Sequence, residues 1–309
     1  MLTKPANVGM FVLLVLLRIA SIARADQAAG IMTTLNDVRF ESISSDQLSV
    51  DVMVLPRMTP EHLLVRDPAL QNILKGLHKG DRLAILVSTE NGQAILQSMS
   101  VRVVTVGRLF RTVVLLVAIF AFWLVCFLLS GFHPEKLIMG EDGRFSNSKF
   151  QTVLWFGVLV SSYLATLWLR VHELGSDMLG GINIPQNLLL LSGMSAVTFT
   201  AAKGITVAKI QNAKAAGVLN SKPSALVAQF WSDLTSNDSN EFDLGDFQML
   251  IMTFLAVGTF LTLILYFLGS LEARTIVDLP DVDTTILASF GIGQGAYLTK
   301  KAVGELGTS

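Results

Sequence analysis

The side chains best suited to hold a divalent cation lie between Thr235 and Asp246. Thr235, Asn237, Ser239, Asp243 and Asp246 set hard oxygens at the first, third, fifth, ninth and twelfth positions of a twelve-residue loop. Asn240 stands at the turn position and Phe242 at the hydrophobic one. A calcium loop of this kind closes on a bidentate Glu, and Asp246 is shorter by a methylene. Ca2+ is therefore the one cofactor these residues suggest, with Asn237, Asp243 and Asp246 as its candidate ligands, and the donor set is poor. The plainer chemistry is helix capping. Asp243 sits three residues before Asp246, where a side-chain oxygen accepts from the first free N–H groups of a helix.

The same loop occurs twice. Leu137 to Gln151 reads LIMGEDGRFSNSKFQ and Leu234 to Gln248 reads LTSNDSNEFDLGDFQ, matching without a gap. Leu, an acid (Glu141 or Asp238), a turn residue (Gly143 or Asn240), Phe, then Phe150-Gln151 or Phe247-Gln248 recur in order. In the first copy Lys149 replaces the closing acid, which argues against a cation there. A second match sets Ile184 to Leu189 against Val282 to Leu287, followed by Gly193, Phe199 and Lys203 against Gly291, Tyr297 and Lys301. Such a pattern points to an internal duplication.

The elements that carry these loops belong in a membrane. Hydrophobic residues make up 51% of the chain and charged residues 15%, and the mean hydropathy is +0.57. Five runs approach the length of about 20 residues that a bilayer needs: 112–130, 152–169, 187–202, 249–268 and 284–298. The expected fold is a polytopic α-helical membrane protein with a small exported β-rich domain. Its five predicted transmembrane helices comprise one linking helix and two tandem hairpins as a parallel repeat. The corresponding domains are 1–25, a signal peptide or signal anchor; 26–106, the exported domain; 107–131, the linking helix; 132–208, repeat 1; and 209–309, repeat 2. Repeat 2 opens with an amphipathic interfacial helix over 223–234, where Leu226, Val227, Phe230, Trp231 and Leu234 share one side.

Export follows from Lys4, the apolar run Val8 to Leu17 and Ala23-Arg24-Ala25, the layout of a cleavable secretory signal. Orientation follows from charge. The loops expected inside carry Lys136, Arg144, Lys149, Lys203, Lys209, Lys214, Lys222, Lys300 and Lys301, and those expected outside carry Arg170 and Arg274. Residues 26–106 are thus expected in the periplasm or extracellular space, the body in the cell (inner) membrane, and the C-terminus in the cytoplasm. Within the exported segment Leu48, Val50, Val52 and Val54 alternate as a half-buried strand. Asn91-Gly92 joins two further strands as a tight hairpin, and Pro68 to Leu77 reads as a short helix.

The third and fifth spans are rich in Gly, Ala, Ser and Thr, which let helices approach closely in lipid. They are expected to form the inner contact, with the second and fourth spans facing lipid. Ser195, Thr198 and Gln294 are the polar side chains in them that would pack helices or line a path. Phe150 and Phe247 are expected at the interface, with Gln151 and Gln248 bonding backbone or each other.

Several functions lack residues to perform them. A net charge of -1 and a pI near 6.4 give no basic field for nucleic acid. Cys126 is the sole cysteine and sits in a span, which removes disulfides and thiolate metal clusters. No acid or base lies well within a span, as coupled transport requires, and no phosphate loop, zinc-helix motif or nucleophile elbow is present. The chain is read as a non-enzyme: a membrane scaffold, anchor or sensor whose exported domain binds a partner, in an oligomer or larger assembly. The alternative is a passive ion or small-solute channel lined by the third and fifth helices.

Overall fold

The computed structural model of the chain describes residues 31–140, 143–215, 228–236 and 242–303. The expected signal segment, Asn237 and residues 223–227 of the expected interfacial helix lie outside the described residues. The chain divides into two compact units. One comprises the residues up to Val103 together with Glu272–Thr275, and the other Val104–Leu271 with the residues from Ile276 onward.

The first unit is a closed five-stranded barrel. Strands β1 (Ile31–Ile43), β2 (Ser49–Val54), β3 (Thr59–Leu64), β4 (Arg82–Glu90) and β5 (Gln93–Val101) close in the order β1-β2-β3-β5-β4. Helix α1 (Pro68–Leu74) lies between β3 and β4. This is a Greek-key barrel of the OB type. Closure rests on β1, whose first half pairs with β4 and second half with β2, each ladder broken by a register shift. Bulges of this kind bend a strand sharply enough to serve two neighbours.

Period-two alternation in β2 sends Val50 and Val52 inward, where they meet Val38, Phe40, Leu63 and Ile85. Asp67 caps α1 by accepting from the Ala69 N–H, Pro68 takes a first-turn position, and Leu70 and Leu74 enter the same core. The expected hairpin forms at Asn91-Gly92, both residues having positive φ (49° and 78°). Leu48 departs from the expected alternation. It precedes the strand and is exposed.

The second unit is helical: α2 (Arg108–Leu129), α3 (Asn147–Leu174), α4 (Gln186–Ala215), α5 (Phe230–Thr235), α6 (Leu244–Phe267) and α7 (Thr284–Val303). Among the described residues four helices are long and apolar enough to cross a membrane: α2, α3, residues 186–205 of α4, and α6. Helix α7 runs unbroken for 20 residues but carries Gln294 and a lysine pair and is not among the four.

The packing corrects the expected arrangement. Helix α3 packs against α2, α4 and α6, while α7 packs against α4 and α6. Of the four apolar helices α3 is the most buried, at 44% of its apolar window against 28% for α4 and 17% for α2. The second span therefore sits inside rather than facing lipid. Large side chains fill the centre, with Trp155 of α3, Phe260 of α6 and Phe290 of α7 in one cluster with Leu188 and Leu191 of α4. Among the glycines of α4 and α7, Gly291 lies in ordinary contact with α4, a Cβ there meeting Met194 Sδ at 3.5 Å. A Cβ added at Gly193, Gly204, Gly293 or Gly295 would meet nothing within 4 Å.

The close approach is instead at Gly157 of α3, where a Cβ would lie 2.7 Å from the Phe122 ring of α2. Gly157→Val is expected to cost about 1–3 kcal/mol of stability by overpacking, measured by unfolding of the purified protein in detergent. A variant as stable as the parent would show that α2 simply moves aside.

Candidate functional site

Residues predicted from the sequence come together in the helical unit as a buried polar chain. Gln294 of α7 donates through Nε2 to Oε1 of Gln151 on α3. Gln151 donates through its own Nε2 to Asn147 Oδ1 at 3.3 Å, one turn earlier on the same helix. Asn147 Nδ2 then reaches the carbonyl oxygens of Leu234 (3.3 Å) and Asp246 (3.2 Å). Gln151 is fully buried, and Asn147 and Gln294 nearly so. Gln151 and Asn147 both donate and accept, and Gln294 donates, in an apolar interior where an unpaired amide costs about 1–3 kcal/mol. Ser195 is also buried. Its hydroxyl donates to Leu191 O and its carbonyl accepts from Thr152 Oγ1 at 3.1 Å. Thr198 is buried on α4.

The two Phe-Gln pairs are not equivalent in place. Phe150 is half-buried and packs edge-on against Phe230 and Phe254. Phe247 is exposed and touches Phe242. Gln248 is exposed while Gln151 is buried, so the expected pairing of the two glutamines does not occur. Gln151 turns inward because α3 is the central helix, whereas the first turn of α6 is peripheral. What the copies share is the loop itself. An isolated antiparallel bridge joins Met139 to Phe145 in the first and Ser236 to Phe242 in the second, at matching positions.

Asp243 performs the capping expected of it, accepting from the N–H groups of Gly245 (2.8 Å) and Asp246 (3.3 Å) through Oδ1. Ser146 holds the equivalent place before α3 but makes no capping bond, its hydroxyl lying against that of Ser148. In this copy Lys149 closes the turn, donating to Met139 O at 2.7 Å. Among the described residues no three His, Cys, Asp or Glu side chains gather as a metal site.

Some residues of consequence were not found by reading the sequence. Arg170 counted as a loop residue, yet α3 continues to Leu174 and buries it, with its Nε donating to Met178 O. Asn147 stands four residues before Gln151, the spacing at which helical neighbours meet. Asp233 accepts from the Phe145 N–H at 3.1 Å and so ties the second loop to the first. At the other end of the helices the two-residue strands Ile182–Asn183 and Val277–Asp278 pair in parallel. There Asn187 donates to Asp281 at 2.9 Å.

The barrel unit has its own buried charge. Asp81 is fully buried and accepts from the Thr275 N–H (2.7 Å), the Thr275 hydroxyl (2.8 Å) and the His78 N–H (2.9 Å). The main chain completes the join: Arg82 N donates to Ala273 O, and Ala273 N to Arg102 O. Residues 272–275, which in the sequence connect α6 to α7, are thereby stitched to β4 and to the residue after β5. Gly80 allows the approach, having φ +100° and a virtual Cβ only 2.7 Å from the Thr275 methyl.

On the barrel exterior β3 is the most exposed strand, and His62 Nδ1 donates to Asp51 Oδ1 of β2 at 2.7 Å. That bond, with a second from Ser42, holds the Asp51 carboxyl below the usual aspartate range. A depressed carboxyl pKa contributes stability above its unfolded value, near 3.9, and the contribution is lost as pH falls through the folded value. His62→Ala is expected to raise the Asp51 titration midpoint toward that ordinary value, read by carbon NMR of the carboxyl; an unmoved midpoint would assign the shift to Ser42.

No protein-family model, no curated protein and no solved structure matches this chain.

Proposed function

We propose that the protein is a non-enzymatic membrane sensor or scaffold, with an exported barrel that receives a partner and a helical body that holds it in the bilayer. The observation that carries this reading is the place of residues 272–275. The connection between α6 and α7 folds as part of the barrel unit, so the barrel is joined to the helical sequence both through α2 and through this inserted segment. A tethered domain needs one covalent connection. A second, fixed by a buried carboxylate, gives a binding event on the barrel a covalent route to two helices.

The finer architecture belongs to the same reading: a signal segment, five membrane crossings with α7 as the fifth, two tandem repeats of one hairpin, and a cytoplasmic C-terminus. The matching loop bridges, together with the bonds from Asn183 to Asp278 and from Asn187 to Asp281, favour a duplication. Self-association uses the open small-residue faces of α4 and α7, which include a groove lined by Ala196, Val197, Thr200 and Ala201.

The channel alternative draws less support, because Gln294 and Ser195 are spent on bonds between or within helices. Ion flux through purified protein in liposomes, with and without calcium, separates the two. The sensor or scaffold reading expects no flux above empty liposomes for the parent and for Gln294→Leu. Sustained flux that Gln294→Leu alters would transfer the function to a pore.

A further inference from the structure

Three helix ends meet at one level of the helical unit: the start of α2, the end of α3 and the end of α6. Phe110 of α2 packs against His172 of α3, with ring centroids 5.2 Å apart. Arg111 of α2 lies over Gly269, the second residue after α6. The contact is so close that a Cβ at Gly269 would stand 1.6 Å from the guanidinium Nη1 and 2.9 Å from Cζ. Only glycine admits the guanidinium at this place. Val106 N donates to Gly269 O at 3.0 Å and completes the joint between α2 and α6.

Aromatic side chains mark the same level. Trp168 stands one turn before His172 on α3, Tyr266 stands three residues before Gly269 on α6, and both are exposed, at 63% and 78%. Exposed Trp and Tyr on membrane helices gather at headgroup depth, where an apolar ring meets lipid and its polar tip meets water. The arginines of this joint therefore stand at the depth of lipid phosphates. Arg108 is exposed and lies one turn from Arg111, the spacing at which helical side chains are neighbours. Neither arginine forms an ion pair among the described residues, and the acid beside them, Glu173, is already paired with His172 at 3.1 Å. Their charge complements an anion, and a guanidinium fork held in a fixed seat matches the oxygens of a phosphate. Further along the helices α2 exposes Leu116 and Phe120, and α6 exposes Leu255 and Leu263. A cationic head site thus adjoins apolar surface.

We propose that this end of the helical unit binds an anionic phospholipid, with its phosphate between Arg108 and Arg111 and its chains on the exposed apolar side chains of α2 and α6. The site rests on these helices lying in a bilayer and not on the barrel's receiving a partner. Its consequence is mechanical: the headgroup fastens the start of α2 to the end of α6 from the membrane side.

Native mass spectrometry of the full-length protein counts the lipids it retains from detergent micelles doped with equal amounts of phosphatidylglycerol and phosphatidylcholine. The parent is expected to prefer phosphatidylglycerol. Arg108→Gln is expected to lower that preference about fivefold and the double replacement with Arg111→Gln about 25-fold, the worth of one and of two cations at an anionic surface. Gly269→Ala keeps both charges but displaces Arg111 from its seat, and it is expected to lower the preference by a similar factor to Arg108→Gln. Lys136→Gln, beyond the opposite end of α2, is the control and is expected to leave the preference unchanged. A preference that survives the double replacement, that Lys136→Gln lowers equally, or that Gly269→Ala leaves intact would overturn the site. Equal retention of the two lipids by the parent would overturn it and leave the membrane placement standing, whereas retention of neither would contradict both. Arg108 is exposed, so its single replacement keeps the test open where a variant at the Arg111 seat does not fold.

Discussion

Replacing Asp81 by alanine is expected to destabilise the barrel unit by about 4 kcal/mol. Hydrogen bonds to a charged group contribute about 1.5–3 kcal/mol each, and donors stranded in the interior carry their own penalty. Asp81→Ala removes the acceptor of three hydrogen bonds, from the Thr275 N–H, the Thr275 hydroxyl and the His78 N–H, and opens a small cavity at a fully buried position. Asp81→Asn keeps one acceptor oxygen but turns an N–H₂ group toward donors, so it is expected to cost roughly half as much. Thr275→Val removes only the hydroxyl donor and is expected to cost about 1 kcal/mol. The order Ala above Asn above Val is the informative part. Hydrogen exchange of the β1 and β4 amides in the full-length protein reads it, because segment 272–275 bonds along β4 at Arg82. Exchange in Asp81→Ala matching the parent would mean that this segment is not part of the barrel's folding unit.

Gln151→Leu is expected to cost the helical unit about 2–3 kcal/mol and to loosen α7. Interhelical hydrogen bonds in membranes average only about 0.6 kcal/mol, because polar groups find other partners in the unfolded reference. Gln151 exceeds that mean for a structural reason. It makes two bonds at once, to Gln294 and Asn147, and leucine removes the partner of Gln294 Nε2 and of Asn147 Oδ1 at an interior position, while Asn147 keeps its bonds to Leu234 and Asp246. Unfolding in mixed detergent micelles gives the magnitude. Gln248→Leu is the matched control and is expected to lie within about 0.5 kcal/mol of the parent, as exposed substitutions do. Equal losses from the two variants would contradict the inequivalence of the two glutamines.

What the sequence made legible was local or periodic. Asn91-Gly92 announced its hairpin because both positions need positive φ, and Val50 and Val52 announced an inward face. The start of α6 followed from Asp243, whose capping chemistry involves the next three residues alone. Where the reading failed, the deciding partner was distant in sequence. Nothing around Asp81 signals that its acceptor oxygens meet Thr275. Nothing in the two Phe-Gln motifs says that the first turn of one helix is buried and that of the other exposed. The small residues of α4 and α7 misled for a related reason: glycine permits close approach but does not compel it, and the bulk of Trp155, Phe260 and Phe290 decided which helix went inside. Hydropathy ends a span where the apolar run ends, which places Arg170 in a loop although the helix continues past it. Helix α3, at 28 residues, is about 42 Å long and outlasts the hydrocarbon core.

The central claim is that the barrel is the receiving part of the molecule. The most direct test is site-specific photo-crosslinking in living cells, with the photoreactive residue at Met58 or Glu61 on the exposed β2–β3 side of the barrel and, as control, at Leu124 on the exposed face of α2. The account predicts one discrete protein adduct from both barrel positions, absent from the α2 position and reduced when Asp51 and His62 are replaced. Adducts from the α2 position alone, or none from the barrel, would contradict it.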